Sequence, residues 1–154
     1  MPGPEFNPFA KLYSYNSINS SDNLLLLGGN AKFSTGTSAS FGVGSFIKDD
    51  EKPLFEIKLG QDIGKIGNVN FNAGFRGRFK TDGYRQYRGN IEASYPMKNN
   101  VKPYVSASYS NTNGKDAVGG FAGISYNKIS AEIEYKHNIP DNKNNYYLNL
   151  IFGF

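Results

Sequence analysis

The chain has one histidine, His137, and a Ser-His-Asp device would need an activated serine beside it. No serine lies close to His137 in sequence, so only a tertiary contact could supply one. Glu132 and Glu134 stand two residues apart. On a strand that spacing aims both carboxylates at one face, where they can do acid–base chemistry or neutralise facing Arg and Lys. The second role is the commoner one on a barrel, and it is the one we adopt. Cysteine is absent, and a single histidine cannot supply the N and S donors of a zinc site. The glycines of Phe41-Gly-Val-Gly-Ser45 precede no helix signal, so they are not a phosphate loop. In a strand they relieve crowding or allow bending. No catalytic residue, metal or cofactor is therefore expected.

The basic residues Arg76, Arg78, Lys80, Arg85 and Arg88 cluster around the turn pair Asp82-Gly83. They could form an anion-selective mouth or hold lipopolysaccharide phosphates. Pairing with Glu92 on the adjacent strand is the reading we favour.

The composition narrows the class. Of 154 residues, 38% are apolar, 19% charged and 15% aromatic, with 18 glycines and no Trp. That is one domain's worth of chain. It is too polar for a bundle of membrane helices and too apolar and aromatic for disorder. Abundant Gly with Phe and Tyr describes strands and tight turns. The net charge of +4 is not gathered into a long basic run, which argues against a nucleic-acid partner. The longest apolar run, Leu24 to Leu27, falls far short of the roughly 18–20 residues of a spanning helix. No secretory leader is visible at Met1. Residues 1–6, Met1-Pro-Gly-Pro-Glu-Phe6, look like a cloning remnant, which leaves 7–154 as a single domain whose signal peptide has been removed.

The elements that carry these residues show a period of two. Val69, Phe71, Ala73, Phe75 and Phe79 fall on one face, and Asn70, Asn72, Gly74, Arg76, Arg78 and Lys80 on the other. The same split recurs at 55–60, 90–95, 104–109, 129–136 and 148–154, with Tyr104 and Ile151 as exceptions. About ten strands are expected, near 8–16, 24–36, 39–48, 53–63, 68–80, 85–96, 102–111, 117–127, 129–138 and 145–154. Eight result if the two N-terminal ones merge or are lost. Turn residues separate them, with longer links (20–23, 49–52, 81–83, 111–115, 140–145) alternating with shorter ones. The expected fold is all-β: a closed up-and-down antiparallel barrel of transmembrane type.

Alternation does not say which face is inside. In a membrane barrel, lipid meets Phe71, Phe75, Phe79, Ile91, Val105, Ile129, Ile133, Leu148, Leu150 and Phe152, while Glu56, Lys58, Arg76, Arg78, Glu92, Glu132, Glu134 and Lys136 form a charge network in the lumen. Small residues on the polar face, such as Gly42, Gly44, Ser94, Ser106 and Ser108, suit a narrow lumen. Tyrosines toward strand ends, among them Tyr84, Tyr87, Tyr109, Tyr126, Tyr135, Tyr146 and Tyr147, suit a membrane interface. The alternative is a soluble barrel that binds a lipid or hydrophobic ligand, with Phe71, Phe75, Ile91, Ile133 and Leu150 lining its cavity.

The last strand, Tyr146-Tyr-Leu-Asn-Leu-Ile-Phe-Gly-Phe154, resembles the C-terminal strand of bacterial outer-membrane proteins, although Asn149 stands where Gly is often found. That resemblance implies the cell outer membrane, membrane lipid and lipopolysaccharide as surroundings, and the barrel-assembly machinery as a partner. It implies a monomer with a structural, surface or minor-pore role and no enzymatic activity. Glu134-Tyr-Lys-His-Asn-Ile-Pro140 is similar to the late histidine segment of lipid A deacylase barrels. Those use a Ser two residues after the His, where this chain has Ile139, so the resemblance implies an inactive copy.

Overall fold

The computed structural model describes residues 3–17, 21–47 and 52–154. Ten strands form: β1 (Glu5–Ser17), β2 (Ser21–Lys32), β3 (Thr37–Phe46), β4 (Leu54–Ile66), β5 (Val69–Lys80), β6 (Arg85–Ser94), β7 (Val101–Thr112), β8 (Lys115–Tyr126), β9 (Ile129–Asn138) and β10 (Lys143–Gly153). Each pairs antiparallel with its sequence neighbours, and β1 closes on β10, so no strand edge is left open. The closing ladder runs from Lys11 opposite Gly153 to Ser17 opposite Tyr147. Phe154 N–H donates to the Ala10 carbonyl at 2.8 Å and extends it. The two N-terminal strands stay separate, paired from Glu5–Lys32 to Asn16–Ser21, so the count is ten and not eight.

Strands of 10 to 13 residues are about 33–43 Å long at roughly 3.3 Å per residue. Tilted by about 45°, they cover a band close to the roughly 30 Å of a hydrocarbon core. β1 opens at Glu5, inside the segment assigned to a remnant, while Met1 and Pro2 lie outside the described residues.

The turns follow local chemistry. Asn113 and Gly114 both take positive φ, 51° and 83°, which is what a two-residue type I′ hairpin needs. The link expected to be long at 111–115 is therefore short. On the opposite rim the β6–β7 link is the longer one and carries a 3-10 turn at Lys98–Asn100. The alternation of long and short links is thus not kept. The turns expected at 20–23 and 49–52 lie partly outside the described residues.

β2 and β3 approach backbone to backbone. A Cβ on Gly44 would run into the Leu25 carbonyl oxygen, so the strand pair tolerates only glycine there. In β4 the register shifts between Asp62 and Gly64, and the bulged Ile63 points outward, 57% exposed.

The buried apolar residues lie within the lumen. Tyr13, Leu24, Leu26 and Leu54 are buried, and Phe9, Tyr15, Phe46, Tyr84 and Ile151 pack against them. They narrow the lumen on the β1–β4 side. The two exceptions to the alternation are explained by the same finding. Ile151 joins this cluster, and Tyr104 also turns inward, where its hydroxyl donates to Glu132 Oε2 at 3.0 Å.

Candidate functional site

Register assembles the charges. Glu56 stands opposite Arg78, and Lys58 opposite Arg76. Arg76 stands opposite Arg88 on the next strand. Three adjacent strands thus place Lys58, Arg76 and Arg88 in one row, with Arg78 beside it. Arg78 Nε lies 2.7 Å from Glu56 Oε2, and the two side chains are 5% and 2% exposed. Lys58 Nζ approaches the other carboxylate oxygen at 3.0 Å. Tyr15 accepts from Arg78 Nη2 at 2.8 Å and Tyr13 from Lys58 Nζ at 2.7 Å. The two phenol rings stack on each other, with the Arg78 guanidinium over both. Both cations and both phenols therefore gather around a single carboxylate, and charge-assisted bonds offset the burial of the ions.

A second network lies across the lumen. Arg88 Nη2 reaches Glu134 Oε1 on β9 at 2.9 Å and Ser108 Oγ on β7 at 3.1 Å. The guanidinium rests over the Phe121 ring at 5.1 Å. It can pass β7 and β8 because their inward residues there are small: Ser108, Ser110, Ala117 and Gly119. Asn149 Nδ2 donates to Glu132 and Glu134, at 3.1 Å each, and so bridges the two carboxylates.

All eight residues of the expected charge network lie on the lumen side of their strands. Glu56, Arg78, Lys58 and Glu134 are ion-paired. Glu132 is hydrogen-bonded to Tyr104 and Asn149. The expected pairing of the arginines with Glu92 does not form: Glu92 and Lys136 line the cavity without an ion pair among the described residues. Of the residues expected to face lipid, Phe75, Ile91, Val105, Ile129, Ile133 and Leu148 are exposed on the outer surface. Phe71, Phe79, Leu150 and Phe152 share that outward face and are half-buried among their neighbours. None of the apolar set proposed for a soluble ligand cavity lines the lumen, apart from Phe75, which borders it from the wall. Tyr84 and Tyr147 belong to the lumen and not to an outer aromatic ring.

His137 sits on the outward face of β9 with Nδ1 2.7 Å from Asn144 Oδ1. Its strand neighbours are Val118 and Asn144, so no serine hydroxyl meets it across the ladders. Tyr13, Tyr15, Asn149 and the lumen role of Arg88 are not singled out by the sequence patterns. Parity alone could have placed Arg88 with Asn90 and Glu92, and Asn149 with Tyr147.

Together these side chains leave a cavity of about 510 Å³, lined by the cations Lys58, Arg76, Arg78 and Arg88, by Glu132 and Glu134, and by aromatic and apolar residues such as Tyr13 and Ile151. A second space of about 390 Å³ lies toward the rim with the chain ends, bordered by Glu5, Lys11, Lys32 and Lys58. Both spaces are bordered by charged and polar side chains.

No protein family matches the chain by sequence, and no curated protein does. Solved structures match it in fold. The KdgM porin, alone and in complex with disordered oligogalacturonate, aligns with a TM-score of 0.60 at 11% identity, over 95% of this chain and 99% of its own. The NanC porin aligns with a TM-score of 0.43 at 12% identity, over 95% of this chain and 99% of its own. The likeness is one of fold: a closed barrel of the outer-membrane type.

Proposed function

We propose that the chain is an outer-membrane barrel whose lumen offers a narrow path to ions and small polar solutes and performs no chemistry. The observation that carries this reading is the inversion of the usual protein interior. Ile91, Val105 and Ile133 are 60%, 57% and 64% exposed, while Glu56 is 2% exposed. A continuous apolar belt of this kind is costly in water and favourable against acyl chains. The porin function of the KdgM structures, which share the fold, supports a pore in this chain too. Membrane lipid is then the partner of the belt, and the barrel-assembly machinery the partner that inserts it. The cavity limits the solutes to small ones.

The test is reconstitution. The refolded chain should migrate on gels in a heat-modifiable way and give discrete steps of conductance in a planar bilayer. In cells it should fractionate with the outer membrane. A soluble, detergent-independent monomer would overturn the membrane reading, and a silent bilayer would overturn the pore.

A further inference from the structure

We propose that the lumen holds a binding site for a small oxyanion, a carboxylate or phosphate group, between Arg76 and Arg88. The two arginines stand directly opposite each other on β5 and β6 and both line the large cavity. Their compensation is uneven. Glu56 serves Arg78 and Lys58, and Glu134 serves Arg88. Arg76 has no carboxylate among the described residues, and its side chain bonds only a neutral acceptor, Gln86 Oε1 at 3.2 Å. The Nε–H groups of Arg76 and Arg88 are both buried without an acceptor. Two half-buried guanidinium groups on facing register positions, each with an unmet Nε–H, carry positive charge into the cavity that an anion would offset. The guanidinium fork matches the two oxygens of a carboxylate or phosphate. Asn90, Ser108 and Ser110 nearby offer neutral polar groups that would not repel such a ligand. Glu134 is the built-in competitor, since it already occupies Arg88 Nη2 at 2.9 Å.

The site deepens the pore reading but can be tested apart from it. Titration calorimetry on the full chain refolded in neutral detergent, with inorganic phosphate in one arm and acetate in the other, measures binding without any conductance. We expect saturable one-site binding of at least one of the two anions. Arg76→Gln should weaken it by about tenfold or more, the loss of one charge-assisted contact of about 1.4 kcal/mol or more. Arg76→Lys, which keeps the charge without the fork, should weaken it less. Glu134→Gln, which frees Arg88, should tighten it. Absence of saturable binding by the parent chain, or Arg76→Gln binding as the parent does, would overturn the site. A loss of binding on Glu134→Gln, in a barrel whose gel migration shows it is folded, would overturn it too. A barrel that binds but does not conduct keeps the site and removes the pore, and one that conducts without binding does the reverse.

Discussion

Arg78 Nε and Glu56 Oε2 meet at 2.7 Å in the lumen, one strand apart and shielded from solvent by the stacked rings of Tyr13 and Tyr15. Both side chains are almost fully withdrawn from solvent, at 5% and 2% exposed. Their pairing holds β4 and β5 in register from the inside, and it leaves the neighbouring Arg76 without a carboxylate of its own.

Removing one member should therefore cost more than removing both. Glu56→Gln should destabilise the barrel by about 3–5 kcal/mol, because the buried Arg78, and Lys58 beside it, lose their shared carboxylate. Adding Arg78→Gln to that variant should recover much of the loss. Urea titration of the barrel in lipid vesicles measures all three variants. An additive double mutant would show that the pair is not coupled.

The apolar cluster inside the lumen limits the opening. Leu26→Ala should cost about 2–5 kcal/mol in stability, the range for a large-to-small change at a fully buried site. In a planar bilayer the same variant should show a larger unitary conductance than the parent. Unchanged conductance would mean that the path does not pass this cluster.

The outer belt predicts a lipid-dependent cost. Ile133→Arg should destabilise the barrel in vesicles by about 2–4 kcal/mol, whereas His137→Arg, near the strand end on the same face, should cost about 1 kcal/mol or less. Equal stabilities of the two variants, measured by unfolding in vesicles, would remove Ile133 from the bilayer interior.

Gly44→Val should prevent the close approach of β2 and β3, since even a Cβ meets the Leu25 carbonyl. The expected result is a loss of about 3 kcal/mol or more, or failure to refold, read by the heat-modifiable gel shift. A Gly44→Val barrel refolding like the parent would show that the strand pair has slack that the geometry does not suggest.

Much of the fold is legible in the sequence because a strand writes its faces with a period of two. Phe71-Asn-Ala-Gly-Phe75 can be divided into faces without any knowledge of its neighbours. Asn-Gly and Asp-Gly pairs likewise mark the turns through their tolerance of positive φ. The candidate site is less legible. Adjacency in the chain points to Glu92 as the partner of the arginines, yet the stagger of β5 against β6 sets Asn72, not an arginine, opposite it. Arg88 finds Glu134 three strands away only because Ser108 and Gly119 leave the way open.

Which side chains share a face, where the chain turns, and that ten amphipathic strands follow one another without helices can all be read from residue order. Those are properties of neighbouring residues, and neighbouring residues are what a sequence records. Folding in three dimensions was needed to settle the register in which β1 closes on β10, that Leu24 and Leu26 turn inward while Leu25 and Leu27 turn outward, and which carboxylate each cation meets. These depend on the curvature and stagger of the closed sheet, which bring together residues far apart in the chain.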